Sequence, residues 1–219
     1  MLIRSNLIIR SADFGKATVD TVRQIRIIAL GEQILAGVGD PRAMGWLGRV
    51  LARTDPSGTL IEAYPLAVPD ETTEELSTRW QREASRRFGA EVENRLIIAL
   101  GDHDLDIDIS TARSRLQLAN VLDEAQQNSL PVLVVGPIPG IDSERNARLA
   151  DLNRAYADVT TRRGFHYVDT FTALQHHEQW RSDLDANHGV PGQAGYGLIA
   201  WLVLHRGWYQ WLDLPEPTA

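Results

Sequence analysis

Short apolar runs recur along the chain, and longer segments with helical spacing separate them. Each run has four to six residues, is apolar at nearly every position and is followed by turn residues. Runs of this kind are typical of strands buried on both faces of a parallel sheet. The five predicted strands are Ile25–Leu30, Leu60–Tyr64, Leu96–Leu100, Val132–Val135 and Phe165–Val168.

The segments between these runs repeat apolar residues three or four positions apart, which predicts amphipathic helices. Asp70 is expected to cap the first of them. The predicted helices are Glu71–Phe88, Thr111–Asn128, Ser143–Arg163 and Gln193–Leu212. Because strand and helix alternate, the pattern predicts an α/β fold with three layers, a doubly wound, five-stranded parallel sheet between two layers of helices.

The last predicted helix carries a stripe of large apolar side chains at helical spacing, formed by Trp201, Leu204, Trp208 and Trp211. One interpretation is that the stripe faces the core and closes the sheet. The other is that some of these tryptophans join two copies of the chain in a homo-oligomer, because such residues are enriched at interfaces.

Composition narrows the class of protein. With 219 residues, 43% of them hydrophobic, the chain can bury a core without disulfides or a structural metal. No linker or repeat divides it, so we expect one domain at residues 23–219 after an N-terminal extension at residues 1–22. The absence of cysteine excludes thiol chemistry.

Charge and hydropathy limit the kinds of partner and the cellular location that we expect. The net charge is −7 and no basic run stands out, which argues against a nucleic-acid partner. No apolar stretch reaches the length of about 18 residues that a membrane span needs, and no signal peptide is recognisable. We therefore expect a cytoplasmic protein.

The segments that follow the strands hold the candidate chemistry, because doubly wound sheets bind ligands at the carboxyl ends of their strands. The first strand leads into Gly-Glu-Gln-Ile-Leu-Ala-Gly-Val-Gly at residues 31–39, and the third into Gly-Asp-His-Asp at residues 101–104. The fourth strand ends in Gly-Pro-Ile-Pro at residues 136–139, and Asp-Ala-Asn-His at residues 185–188 precedes the last helix.

In order and spacing these segments resemble the SGNH hydrolase superfamily, also called GDSL lipases or esterases, from about Ile25 to Leu212. The resemblance implies the flavodoxin-like SGNH hydrolase fold. It also implies hydrolysis of acyl esters by a Ser-His-Asp triad with a three-donor oxyanion hole, and no cofactor.

Carried over residue by residue, the resemblance gives an incomplete site. Asp185 and His188 match the orienting carboxylate and the general base. The nucleophile position falls on Gln33, whose amide can neither attack an ester nor be activated by histidine. The oxyanion donors fall on the backbone of Gln33, on Ala67 in place of glycine, and on His103 in place of asparagine.

No other serine is expected to replace the nucleophile. Ser110 and Ser143 both stand where helices are predicted to begin, and serine is a favoured N-cap residue. We therefore expect both serines to cap helices.

Three functions remain open. The first is a pseudoenzyme that binds an ester, acyl, sugar-like or peptide ligand, or a protein partner, without covalent catalysis. The second is a slow hydrolase in which His188, oriented by Asp185, activates water directly. The third is a metal-dependent hydrolase whose hard oxygen ligands include Glu32, Asp102 and Asp104.

Two geometric expectations follow from the resemblance. His188 is expected to lie close to both Asp185 and Gln33. The amide of Gln33 is expected to hydrogen-bond His188 or His103, because a buried amide without partners costs about 1–3 kcal/mol.

Overall fold

The computed structural model describes residues 22–217, so the predicted extension lies, apart from Val22, outside the described residues. Within this part the five predicted strands form one parallel sheet in the order β2-β1-β3-β4-β5. The strands are β1 (Gln24–Gly31), β2 (Leu60–Ala67), β3 (Glu93–Ala99), β4 (Val132–Val135) and β5 (His166–Val168). The strand order confirms the predicted doubly wound sheet.

Helices cover both faces of this sheet, which confirms the three-layer architecture. The apolar pattern did not predict four short helices among them. The helices are α1 (Gln33–Ala36), α2 (Gly45–Arg53), α3 (Thr73–Ser85), α4 (Thr111–Gln127), α5 (Ser143–Thr161), α6 (Thr170–Leu174), α7 (Glu178–Ala186), α8 (Gln193–Val203) and α9 (Tyr209–Leu212). Across residues 22–217, no helix combines the length and the apolar character that crossing a membrane requires.

The core has two halves, one on each face of the sheet. Side chains of β1 alternate between them, because successive residues of a strand point to opposite faces. Ile25 and Ile27 pack into the half that contains α2 and α8, whereas Ile28 and Leu30 pack into the half under α3, α4 and α5. All four are fully buried, which explains why the run reads as continuously apolar.

The predicted last helix, Gln193–Leu212, is interrupted. α8 ends at Val203, and a π-helical turn with non-helical dihedrals at Arg206 and Gly207 separates it from α9. The interruption divides the tryptophan stripe, so Trp208 is buried whereas Trp201 is 52% exposed and stacks on His205. The core-facing interpretation is therefore wrong for Trp201, and a contact between copies stays a prediction.

The helix caps differ in part from those expected. Thr72, not Asp70, caps α3, and it forms a capping box with Glu75. The hydroxyl of Ser110 accepts from the Arg113 amide and caps α4, as predicted. α5 begins at Ser143, but its cap is the carboxylate one residue earlier.

Asp40 fixes the entry to α2, a role that the sequence did not reveal. Its side chain is fully buried, and the carboxylate accepts from the amides of Met44 and Gly45, each at 3.0 Å. Arg49 of α2 forms an ion pair with the same carboxylate. The hydrogen bond from Arg49, followed by those from the backbone, holds the Asp40 pKa well below its ordinary value.

Replacing Asp40 with alanine is expected to destabilise the fold by about 3–5 kcal/mol, because it leaves the buried charge of Arg49 without its partner. Urea unfolding at neutral pH measures the effect. The matched control is Asp151→Ala, which breaks an exposed Asp-Arg pair on α5 and should cost less than about 1 kcal/mol. Equal losses in the two variants would contradict a buried anchor.

Candidate active site

The carboxyl ends of three neighbouring strands bring the predicted segments together. Gly31 at the end of β1 pairs with Ala67 of β2 on one side and with Ala99 of β3 on the other. The segments that leave these strands therefore start from one edge of the sheet, as the family resemblance requires.

Gln33, at the nucleophile position, is the first residue of α1. Its Nε2 donates to Oδ1 of Asp70 at 3.1 Å, and its Oε1 accepts from the Asp70 amide at 2.8 Å. The prediction that this amide bonds His188 or His103 is wrong. The partner of both amide atoms is Asp70, whose backbone adopts a left-handed conformation with a φ of 53°.

Ala67, at the second oxyanion position, is the last residue of β2, an edge strand of the sheet. The next amide, that of Val68, donates to the Gly31 carbonyl at 2.9 Å. Because successive amides of a strand point in opposite directions, the Ala67 N–H points away from β1. The two hydrogen bonds between Gln33 and Asp70 connect the segment that follows β1 to the segment that follows β2.

His103, at the third oxyanion position, begins a short 3-10 helix after β3. Its Nδ1 lies 3.0 Å from Oδ2 of Asp106. Arg145 of α5 holds the same loop from behind, since its guanidinium bonds Asp102 at 2.6 Å and also Asp106. Bonding to Arg145 lowers the Asp106 pKa, so this carboxylate stays ionised beside the imidazole.

Asp185 and His188 are both exposed. Within residues 22–217 no hydrogen bond or ion pair joins either residue to the other or to Gln33. The loop that contains them nevertheless packs against the segment at residues 31–39, because the side-chain amide of Asn187 donates to the carbonyl of Gly39 at 3.0 Å. The structure thus brings the segments at residues 31–39 and 185–188 together, but without the contacts expected of a catalytic Asp-His pair.

The carboxylate that organises this loop is Asp183, which the sequence analysis did not single out. Its Oδ2 accepts from the amides of Gly192 at 2.6 Å and Gly195 at 2.9 Å, so it fixes the start of α8. Two aspartates stand two positions apart in α7, and the sequence offers no signal for which one turns toward α8.

Glu32, between β1 and α1, is 6% exposed. Burial raises the pKa of its carboxyl to about 8, and the nearby carboxylates of Asp102, Asp70 and Glu71 add to the shift, whereas Arg145 opposes it. Both causes disfavour the charged form, so the group holds its proton at neutral pH.

Two of the three metal ligands predicted as an alternative, Asp102 and Asp104, have other partners in the structure. Asp102 pairs with Arg145, and the buried Asp104 accepts from the Thr73 amide at 2.8 Å and from the Tyr156 hydroxyl at 3.3 Å. Across the described ranges no group of three or more histidine or acidic side chains is arranged to hold a metal ion.

The structure is similar to those of several lipolytic proteins and esterases. They include a lipase/acylhydrolase from Enterococcus faecalis, with 20% identity over 89% of this chain and 99% of that chain and a TM-score of 0.68. A GDSL-family lipolytic protein from Veillonella parvula has 16% identity over 82% and 96% and a TM-score of 0.69. A catalytic mutant of an acetylxylan esterase from Geobacillus stearothermophilus has 14% identity over 88% and 97% and a TM-score of 0.69.

At these identities the neighbours show the fold alone. None of the curated proteins matches the sequence. The model of the GDSL-like lipase/acylhydrolase family, by contrast, matches residues 29–198. This range is most of the chain, and it contains all the segments in which the candidate site residues lie. The chain therefore belongs to the GDSL-like lipase/acylhydrolase family.

Proposed function

We propose that this protein is a pseudoenzyme, which uses the SGNH hydrolase scaffold to bind a small uncharged ester, acyl or sugar-like ligand without forming a covalent intermediate. The observation that carries the proposal is the Gln33 amide, bonded at both ends by Asp70 at the nucleophile position. A side chain held in this way offers neither a nucleophile nor space for one.

The ligand class follows from the character of the site edge. Three carboxylates, those of Asp70, Glu71 and Asp102, lie close enough to Glu32 to disfavour its charged form, and the same negative charge disfavours an anionic ligand. One structural neighbour is an acetylxylan esterase, so an acetylated sugar or another small acyl ester is a suitable first ligand to test.

The wild type is expected to form no covalent adduct with a fluorophosphonate and to show no burst with p-nitrophenyl acetate. Loss of a triad nucleophile costs up to about 10⁶ in rate, so turnover should match that of the His188→Ala variant. Intact-protein mass spectrometry and stopped-flow absorbance are the measurements. A stoichiometric adduct on any serine or threonine would overturn the proposal.

A second candidate function is slow hydrolysis by a water molecule that His103 activates. The observation that favours it is the hydrogen bond between His103 and Asp106, since a carboxylate at Nδ1 orients an imidazole and leaves Nε2 as the base. No comparable partner holds His188 among the described residues.

This candidate predicts a slow, steady hydrolysis of p-nitrophenyl acetate that depends on His103 and not on His188. General-base catalysis contributes about 10²–10⁴-fold, so His103→Gln should reduce the protein-dependent rate to the buffer rate. His188→Gln is the matched control and should leave the rate unchanged. The reverse pattern would restore the Asp185–His188 pair as the catalytic base.

A further inference from the structure

Glu32 differs from the other buried carboxylates of the described chain. Asp40 pairs with Arg49, Glu71 pairs with Arg79, and Asp104 accepts from Thr73. Glu32 as a residue is just as buried, yet no residue between 22 and 217 hydrogen-bonds its carboxyl. The carboxyl oxygens are not fully enclosed, so water or a ligand can supply the hydrogen bond that the protein does not.

The position of the carboxyl is fixed by its neighbours. It lies against the α-carbon of Gly101, where an added Cβ would overlap Oε1 of Glu32. A glycine at this point therefore gives the carboxyl its place beside the end of β3.

Glu32 lines two small cavities. The first is polar and lies next to Asp104 and the start of α3. The second, here the apolar rim cavity, has a volume of about 20 Å³, which is room for a water molecule or a methyl group. Besides Glu32, the apolar rim cavity is bounded mainly by Ile34, Trp46, Val135, Ile138 and Ile199.

The charges around Glu32 come from several elements. Asp70 and Glu71 face it from the segment before α3, Asp102 from the loop after β3, and Arg145 from α5. Asp104 lines the polar cavity, and Tyr196 of α8 also lies within electrostatic reach. Arg79 is paired with Glu71, but among the groups that act on the Glu32 carboxyl the carboxylates outnumber the guanidinium of Arg145, so this environment favours a neutral Glu32 and repels anions.

We infer that Glu32 is the ligand-binding group of this site, and that its protonated carboxyl donates a hydrogen bond to the carbonyl oxygen of a small uncharged acyl compound whose methyl group occupies the apolar rim cavity. The inference rests on the proposed function, since it assigns a ligand contact to a site that performs no covalent step. It gives the site a hydrogen-bond donor of its own, next to the altered oxyanion positions Ala67 and His103.

Binding of 2,2,2-trifluoro-N-methylacetamide, followed by ¹⁹F NMR, tests the inference. The donor is lost as Glu32 ionises near pH 8, so the dissociation constant should rise about tenfold between about pH 6.5 and about pH 9. Trifluoroacetate, an anion of similar size, should bind poorly throughout this range.

Three variants complete the experiment. Glu32→Gln keeps a donor that does not ionise, so it should bind the amide with no dependence on pH. Glu32→Leu removes the donor and should bind at least about tenfold more weakly, as the loss of one hydrogen bond implies. Glu91→Gln, an exposed position before β3, is the control and should behave like the wild type.

Several outcomes would overturn the inference: no binding to the wild type near pH 6.5, binding that ignores pH, equal binding of trifluoroacetate, or unaltered binding by Glu32→Leu. If Glu32→Leu does not fold, the loss of pH dependence in Glu32→Gln decides the question. The trifluoroacetamide reports binding and not turnover. A fluorophosphonate adduct with intact pH-linked binding would therefore overturn the proposed function alone, and pH-independent binding without an adduct would overturn this inference alone.

Discussion

The Gln33→Ser variant alone is expected to leave ester turnover at background, whereas Gln33→Ser combined with Ala67→Gly and His103→Asn is expected to raise it by about 10²-fold or more. A serine at position 33 restores the nucleophile, and it also releases Asp70, which holds the Gln33 amide. The two further changes restore the residue types that the family uses as oxyanion donors, and each donor is worth about 10²–10³ in rate.

The control for this experiment is His188→Ala in the triple variant. It should abolish the gain, because a serine without a general base is not activated. Initial rates with p-nitrophenyl acetate, together with fluorophosphonate labelling of the new serine, measure both steps. A gain that survives loss of His188 would show that another base serves residue 33. No gain at all, in a folded triple variant, would show that the Asp185–His188 segment cannot reach residue 33.

The fold was predictable where burial alone decides the sequence pattern. β4 and the second half of β1 are buried on both faces, so residues such as Ile28 and Leu133 have no polar neighbours along the strand. The pattern failed where short-range features compete. Thr72 and Glu75 carry the Thr-x-x-Glu signature of a capping box, but Asp70, also a favoured capping residue type, stands two positions before Thr72. Gly207, with a φ of 106°, interrupts a segment whose apolar spacing predicts one helix.

The candidate site was predictable as a set of positions but not as a set of contacts. The order of the sequence segments that follow the strands predicts Gln33 and His103 at the carboxyl edge of the sheet. The partner of Gln33 lies 37 residues away, and the pairing depends on how the segments after β1 and β2 meet. The unusual state of Glu32 has the same origin, because its burial and its acidic neighbours come from three different segments.

The free energy of unfolding of the wild type is expected to fall as the pH rises from about 4.5 to about 8, because Glu32 ionises less readily in the folded protein than in the unfolded chain. The Glu32→Gln variant is expected to lack this fall. The folded-state pKa is about 8, against an ordinary value of 4.5, so in this window the unfolded chain has released a proton that the folded chain still holds. Stability therefore falls with rising pH by up to about 1.4 kcal/mol per unit, on the order of 4 kcal/mol in total. Urea unfolding across this range should show the variant equal to the wild type near pH 4.5 and more stable near pH 8, with Glu91→Gln following the wild type. Parallel curves for the wild type and Glu32→Gln would show that the Glu32 carboxyl ionises as readily in the folded protein as in the unfolded chain.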